Sequence, residues 1–411
     1  MSINTNPVVV LDNGSGYLKC GFSDKQFPDF SLPAIVGRPM LRYEENLEGI
    51  NIKPIMIGDE VIPVRSQLEL KHPISEGIIK DKEELEILWD YALTSKLNLN
   101  KNDLKEHYCM VTEAPLNPFS NKKLMCDILL DKFSFGGMNI EAQAKLTLIY
   151  KGLESGLVLD SGDGVTHIIP VVFCHLDHHN IQRLNIAGRH ITQYLIRLLQ
   201  TKGYAFNSSA DFEVVREIKE KFCIVSSNIE QDRKLAKETT FYNSYYNLKT
   251  GLSSHYNIDS SNTNNRSVLV SNEKFEAPEI LFDPMLIMNE CPGVQKMIVN
   301  CVQSCPMDNR KLLYNNIILS GATTLFPGFS SRLDNEVKRC YQETVLKSTS
   351  KKINIDINII DDPNRQYAVF GGAVYLGNFY RDNSPDYWIS RNDWLECGDQ
   401  IIYKRCSNIM V

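Results

Sequence analysis

The sequence has no long apolar run, no excess of positive charge and no closely paired cysteines. No segment approaches the ~20 apolar residues that a membrane-spanning helix needs, so we expect no membrane insertion. The net charge of -6 excludes a basic surface that would hold nucleic acid non-specifically. The first residues, MSINTNPVVV, lack the basic and apolar regions of a signal peptide. We therefore expect a cytoplasmic protein, with a nuclear location left open.

The cysteines also argue against a disulfide framework or a zinc site. There are 11 of them, scattered along the chain and never spaced as CxxC, which is typical of a reduced, intracellular protein. Cys174, His175, His178 and His179 superficially suggest zinc. Their spacing matches no usual zinc finger, so we expect no metal there.

The order of apolar segments predicts an α/β protein of more than one domain. At 411 residues the chain is too long for a single hydrophobic core. Val8–Leu11 reads as a buried strand, and the chain resumes as a second strand over Tyr17–Phe22. Apolar residues at helical spacing predict one helix that follows Asp81 and another that ends at Gly203.

Two segments share one layout. DNGSGYLK at residues 12–19 and DSGDGVTH at residues 160–167 each have an aspartate at the end of an apolar strand, a glycine-containing turn and a second strand. This repetition predicts duplicated α/β domains that face each other, with each hairpin contributing to a shared cleft.

The first hairpin has the chemistry of a phosphate-binding loop. Gly14 and Gly16 allow a tight turn whose backbone N–H groups point into one concavity, which binds phosphate oxygens. Ser15 adds a hydroxyl donor, and Lys19 places a positive charge near the β- or γ-phosphate. Asp12 is suited to holding Mg²⁺ through water, because it would repel phosphate directly.

The second hairpin repeats these parts. Asp160 would face the metal, with Ser161, Gly162, Asp163 and Gly164 around the phosphate. Either hairpin alone is also consistent with an ordinary β-turn, since Asp, Asn, Gly and Ser dominate turns. The matched pair favours a triphosphate held with a divalent cation between the two hairpins.

Several longer segments resemble the actin family. They are DNGSGYLKCGF, FPDFSLPAIVGRP, TEAPLNP, DSGDGVTHIIP and LSGATTLFPG, which occur in the family's order from Val8 to the C-terminus. The resemblance implies an actin-like ATPase fold, with two duplicated α/β domains around a central nucleotide cleft. It divides them into subdomain 1 (1–37, 74–150 and 367–411), subdomain 2 (38–73), subdomain 3 (151–186 and 290–366) and subdomain 4 (187–289).

The resemblance also implies ATP and Mg²⁺ as ligands and assigns residues to them. The two phosphate segments comprise Asp12, Gly14, Ser15, Gly16, Tyr17 and Lys19, and Asp160, Gly162, Asp163, Gly164 and Val165. The adenosine side comprises Arg216, Lys219, Glu220, Gly321, Ala322 and Phe326. Asp12 and Asp160 would hold Mg²⁺ through water. Gln143, His167 and Asp160 would support slow hydrolysis, in which the first two orient the attacking water and nucleotide acts as a conformational switch.

Some of these positions have other interpretations or depart from the family. Lys219 and Glu220 could form a solvated helix face, His167 could be a core histidine, and Gln143 a polar surface residue. Ala322 replaces a usual glycine, Phe326 a usual tyrosine and Gln366 a common lysine. These departures lie mainly on the adenosine side, where we expect altered contacts, while the phosphate and metal contacts remain whole.

The stretch 243–265 differs in kind from the rest of the chain. It is rich in Asn, Ser, Thr and Tyr and has neither helical nor strand periodicity. We expect a flexible surface insertion without secondary structure of its own.

Other segments narrow the resemblance within the family. IMIGDE, IAGRHITQYLIRLL, NIEQDRKLAKETT and EKFEAPEILFDP are similar to an actin-related subunit of the complex that nucleates branched filaments. The implied partners are an actin-related protein 3-like subunit, the other complex subunits, actin filaments and monomers, and nucleation-promoting factors. The alternatives are a divergent filament-forming actin and, with no candidate base for a hydroxyl substrate, a small-molecule kinase of the same fold.

Overall fold

The structure is a computed structural model that describes residues 6–40, 53–248, 253–254, 267–347 and 355–406. Its strands are β1 (Val9–Asn13), β2 (Tyr17–Phe22), β3 (Phe30–Pro33), β4 (Val36–Pro39), β5 (Met56–Ile57), β6 (Leu68–Lys71), β7 (Ile74–Ser75), β8 (Ile78–Ile79), β9 (Tyr108–Glu113), β10 (Gly137–Ala142), β11 (Gly156–Ser161), β12 (Thr166–Val172), β13 (His175–Leu176), β14 (Gln182–Leu184), β15 (Ser244–Asn247), β16 (Ser253–Ser254), β17 (Ser267–Val270), β18 (Ile317–Ser320), β19 (Ile359–Ile360) and β20 (Ile389–Ser390).

The α-helices are α1 (Lys82–Asp90), α2 (Lys101–Leu104), α3 (Phe119–Cys126), α4 (Gln143–Tyr150), α5 (Gly188–Thr201), α6 (Ser209–Phe222), α7 (Ile229–Glu238), α8 (Glu273–Glu276), α9 (Val294–Ser304), α10 (Met307–Asn315), α11 (Phe329–Thr344), α12 (Ala368–Asn383), α13 (Arg391–Cys397) and α14 (Asp399–Arg405). Short 3₁₀ or π segments cover Gly58–Gln67, Tyr91–Lys96, Asp127–Lys132, His178–Asn180, Pro278–Leu281, Pro284–Ile287, Ala322–Leu325, Arg365–Tyr367 and Pro385–Tyr387.

Two large sheets of the same design organise the molecule. The first runs in the order β20-β10-β9-β1-β2-β3, and the second in the order β13-β12-β11-β18-β19. In each, a central strand pairs antiparallel with the next strand of its hairpin and parallel with a strand that comes later in the chain. The predicted duplication of an α/β domain is therefore confirmed.

Each sheet has its own apolar core. Leu11, Leu18 and Trp89 belong to the core of the first sheet, and Leu157, Leu159 and Leu319 to that of the second. Helix α12 packs closely on α4 beside the first sheet, and a Cβ on its Gly372 would lie 2.0 Å from the Leu146 carbonyl oxygen. Only glycine permits that approach.

The local predictions are largely confirmed. Strands β1 and β2 lie where expected, and α1 begins after Asp81, whose side chain accepts hydrogen bonds from the Glu83 and Glu84 N–H groups. This cap satisfies donors that the first helical turn leaves unpaired. Helix α5 ends at Thr201, just before Gly203 in the left-handed region at φ +93.

The prediction that 243–265 has no strand is wrong at its start. Ser244–Asn247 forms β15, which pairs antiparallel with β17 and with the short β16. Tyr246 is 3% exposed and belongs to the core of the second domain, and Ser244 accepts a hydrogen bond from Lys274 Nζ. Inward and outward side chains alternate over these four residues. Because the segment is polar in composition, its sequence does not show this alternation as a hydrophobic pattern.

Other predicted features fall partly outside the described residues. These are residues 249–252 and 255–265 of the insertion, 41–52 of subdomain 2, 348–354 of subdomain 3, and 1–5 and 407–411 of subdomain 1. The subdomain boundaries stay predictions. None of the helices within the described ranges combines the length and apolar character that a bilayer span requires.

Candidate functional site

A cleft between the two domains contains all the residues that the sequence assigned to the nucleotide, the metal or the attacking water, except Ser161. Its volume is ≈ 490 Å³, within the range usual for small-molecule sites. The lining includes Asp12, Gly14, Ser15, Gly16, Tyr17, Lys19, Gln143, Asp160, Gly162, Asp163, Gly164, Val165, His167, Arg216, Lys219, Glu220, Gly321, Ala322 and Phe326. A neighbouring cavity of ≈ 640 Å³ shares Phe326 with the cleft but is lined by neither hairpin.

The first hairpin presents Asp12 at the end of β1. This carboxylate is 2% exposed and accepts hydrogen bonds from Thr112 Oγ1 at 2.6 Å and Gln143 Nε2 at 3.3 Å. Lys19, its cross-strand partner, lies 3.0 Å from Asp12 Oδ2 and also donates to the Gln366 carbonyl oxygen at 2.7 Å. The lysine therefore lies on the strand that follows the hairpin turn, and its charge is shared with Asp12.

The second hairpin presents Asp160, which is directly beside Ser320 on the parallel strand β18. Burial raises the pKa of the Asp160 carboxyl, a hydrogen bond from the Ser320 hydroxyl opposes that increase, and the negative charge of Asp12 adds to it. Two enclosed carboxylates with this mutual repulsion suit a bound cation. The residues present therefore fit a divalent metal held between Asp12 and Asp160.

The tips of the two hairpins meet across the cleft. A Cβ on Gly16 would lie 2.8 Å from the Asp163 Cβ, so the first tip can approach the second only as glycine. A Cβ on Gly162 would meet no atom within 4 Å, so the backbone there faces open space. This leaves room for a phosphate group against the hairpin.

One predicted contact in this region is wrong. Ser161 is 1% exposed and its hydroxyl pairs with Thr166 Oγ1 at 2.7 Å. Its side chain therefore lies on the core side of β11, because successive side chains of a strand point to opposite faces. It is not available to a phosphate in the cleft.

His167 and Gln143 come together around the two aspartates. His167 is 1% exposed, and among the described residues its Nε2 has no hydrogen-bond partner. Burial, followed by the charge of Arg183, lowers the pKa of His167 to about 3, so the ring is neutral near pH 7. A neutral ring with a free nitrogen can orient a water molecule, which is the role that the resemblance implies.

Three of the residues that the resemblance assigns to adenosine lie on α6. The Arg216 guanidinium lies 5.2 Å from the centre of the ring of Tyr17, which belongs to the other domain across the cleft. It also pairs with Glu213 at 2.7 Å. Lys219 is 6% exposed and donates to the Gly188 carbonyl oxygen, while burial lowers its pKa. A solvated helix face is therefore wrong for Lys219, whereas the Glu220 side chain is 55% exposed.

Sequence reasoning missed some residues that shape the site. Thr112 and Ser320 hydrogen-bond the two aspartates from neighbouring strands, and Thr323 donates to the Gly162 carbonyl oxygen at 2.7 Å. The Gln366 side chain departs from the family, yet its backbone oxygen is what binds Lys19. The available signal was the position of Thr112 and Ser320 within TEAPLNP and LSGATTLFPG, two of the segments that carry the resemblance.

The segment around Cys174, His175, His178 and His179 lies elsewhere. Within the described ranges, no group of three or more Cys, His, Asp or Glu side chains is arranged to hold a metal ion. The segment forms a short strand and a 3₁₀ turn at the edge of the second sheet.

Comparisons with known proteins agree with this arrangement. The family model described as Actin matches residues 3–407. Actin-related protein 2 of Arabidopsis thaliana is 42% identical over 398 residues, which is 97% of this chain and 98% of the relative. Actin-related protein 2 of Schizosaccharomyces pombe is 42% identical over 397 residues, covering 96% and 97%. The protein of the same name from Acanthamoeba castellanii is 40% identical over 402 residues, covering 98% and 99%.

Proposed function

Because the chain belongs to the actin family, we propose that it is the ATP-binding, actin-related subunit of a multi-subunit complex that templates new, branched actin filaments. The observation that carries this proposal is its similarity, over nearly its whole length, to several proteins named actin-related protein 2. Such coverage leaves little of the chain for a different architecture.

We propose ATP and Mg²⁺ as the ligands of the cleft. Asp12 and Asp160 would hold Mg²⁺ through water, and the ion would neutralise charge on the phosphates. Lys19 adds a positive charge beside Asp12, and the two glycine-containing tips offer backbone N–H groups. Gln143 and His167 would position a water molecule. Neither is a strong base, so hydrolysis is slow and depends on orientation.

Nucleotide acts here as a conformational switch. A ligand shifts a conformational equilibrium only if it binds one state better. Phosphates would contact both hairpins only when the two domains are close, so nucleotide would favour the closed cleft. The contact between Tyr17 and Arg216 also joins the two sides and adds to this preference.

The partners follow from the proposed complex. They are an actin-related protein 3-like subunit, the remaining subunits, an actin filament with incoming monomers, and nucleation-promoting factors. A nucleating subunit offers one end to actin while other faces are committed to partners, whereas a filament requires the same contact to repeat without closing. The proposed location is the cytoplasmic actin cytoskeleton.

Sedimentation and electron microscopy of the pure chain test this function. In ATP, Mg²⁺ and salt it should show no concentration threshold for polymerisation. Native purification followed by mass spectrometry should recover an actin-related protein 3-like partner and smaller subunits. Ordered filaments above a critical concentration would instead identify a divergent actin, and phosphate transfer to a sugar or glycerol would identify a kinase.

A further inference from the structure

Each aspartate of the cleft has a hydroxyl-bearing neighbour on the adjacent parallel strand. Strand β1 pairs with β9 in a register that places Leu11 beside Val111, so that Asp12 and Thr112 come next. Strand β11 pairs with β18, with Asp160 beside Ser320. The duplicated sheets therefore repeat not only the aspartates but also the side chains that touch them.

Thr112 is enclosed and fully used. It is 0% exposed, donates to Asp12 Oδ1 at 2.6 Å and accepts from the Asn13 N–H at 3.3 Å. Because the N–H occupies the oxygen as an acceptor, the single hydroxyl proton is directed at the carboxylate. Lys19 contacts the other oxygen, Oδ2, so both carboxylate oxygens are held.

Ser320 makes the equivalent arrangement in the second domain. It is also 0% exposed and hydrogen-bonds the Asp160 carboxylate. Its oxygen lies 3.5 Å from Thr147 Oγ1, whose own hydroxyl proton is donated to the Gln143 carbonyl oxygen at 3.0 Å. Asp160 is the carboxylate that Ser320 hydrogen-bonds from the adjacent strand, as Asp12 is for Thr112.

We propose that Thr112 and Ser320 are a matched pair of positioning residues that fix the two aspartates for the hydrated divalent cation. This rests on the proposed nucleotide–metal function. A hydroxyl suits the task because it donates one directed hydrogen bond and brings no charge that would compete with the metal. A carboxylate without this bond is less restrained in its rotation, and outer hydrogen bonds of this kind strengthen metal binding by restricting such rotation.

A buried hydroxyl could instead contribute to stability alone, and Ser226 provides the matched control. It is 2% exposed and donates to the Asp232 carboxylate, so it has the same bond, away from the cleft. Ser226→Ala should lower the melting temperature and leave the magnesium dependence of nucleotide binding unchanged.

The test is the dissociation of a fluorescent ATP analogue from the full chain, measured against free Mg²⁺ concentration. Thr112→Val keeps the shape and removes the hydroxyl, and Ser320→Ala gives an independent second variant. Each should raise the Mg²⁺ concentration for half-maximal retention by about tenfold. Thr112→Ser, which restores the donor, should return it to near the wild-type value.

The other outcomes separate this proposal from the proposed function. If Thr112→Val and Ser320→Ala lower the melting temperature but keep the wild-type Mg²⁺ dependence, as Ser226→Ala should, the positioning role is overturned and the metal site stands. If analogue retention by the wild-type chain does not respond to Mg²⁺, the metal site and the positioning role are both wrong.

Discussion

Lys19 and His167 occupy equivalent positions in the two halves of the molecule. Each is the cross-strand partner of the aspartate at the end of the preceding strand, Lys19 of Asp12 and His167 of Asp160. One position carries a charge, paired with its aspartate at 3.0 Å. The other carries a buried ring with a pKa of about 3, which is neutral near pH 7. The duplicated backbone thus supplies a cation on one side and a neutral hydrogen-bonding group on the other.

Nucleotide binding should depend on both aspartates. Asp12→Ala or Asp160→Ala should weaken retention of ATP–Mg²⁺ and reduce the increase in melting temperature that the ligand causes, because nucleotide binds the folded state preferentially. Thermal melting with and without ATP–Mg²⁺ measures this. A wild-type chain whose melting is unaffected by the ligand would contradict the assignment of the cleft.

Gln143 should affect hydrolysis more than binding. Gln143→Ala removes the group proposed to orient water, so turnover should fall while the Kd for ATP stays nearly unchanged. Because Gln143 also donates to Asp12 Oδ1, the Kd should be measured at saturating Mg²⁺. Hydrolysis at the wild-type rate would show that another group positions the water.

The contact between Arg216 and Tyr17 should slow nucleotide release. Arg216→Gln removes a cation–π interaction across the cleft, which predicts release about fivefold faster. Tyr17→Leu should have a similar effect, and the double variant should be no faster than either single variant, since both remove one contact. Arg339→Gln, on a 61% exposed side chain of α11, is the control. Additive effects of the two variants would mean that each residue acts separately.

The insertion should be dispensable only beyond β16. Replacing residues 255–266 by a short Gly/Ser linker should change the free energy of unfolding by less than about 1 kcal/mol, because loop length affects stability weakly. Tyr246→Ala should cost about 3 kcal/mol, since it empties a core position and removes the hydrogen bond to Glu217. Denaturant unfolding of the linker variant and of Tyr246→Ala measures both changes in free energy. A large loss from the linker would show that residues 255–266 pack on the domain.

Glu279 should make stability depend on pH. Burial raises its pKa to about 7, against the charge of Arg332, and its Oε2 has no hydrogen-bond partner within the described part of the chain. The folded state therefore holds a proton that the unfolded state releases near pH 4.5. The stabilisation that this bound proton gives to the folded state is therefore complete below pH 4.5 and is lost as the pH rises through 7.

Glu279→Gln isolates this contribution. Between pH 4.5 and 7 the unfolding free energy of the wild type should fall relative to that of the variant, by up to about 3 kcal/mol. Urea unfolding at several pH values measures it. Parallel stability profiles would show that the carboxyl is ionised throughout this range in the folded protein.

The sequence by itself determined the two hairpins, the duplicated α/β architecture, the family and most of the residues that line the cleft. These depend on short-range chemistry: apolar strands, glycine-containing turns and an aspartate at a fixed place, all of which can be read along a few residues. Helix α1 with its Asp81 cap and the end of α5 near Gly203 were predictable for the same reason.

Only the tertiary structure decided what surrounds those residues. Thr112 reaches Asp12 from 100 positions away, and the Gln366 backbone oxygen meets Lys19 from 347 positions away, through sheet register and chain crossings that no local pattern encodes. The burial of Lys219 and the strand at Ser244–Asn247 likewise depend on packing against distant elements. Periodicity along a chain records which face of an element is apolar, whereas the identity of the neighbour on that face is fixed only when the elements assemble.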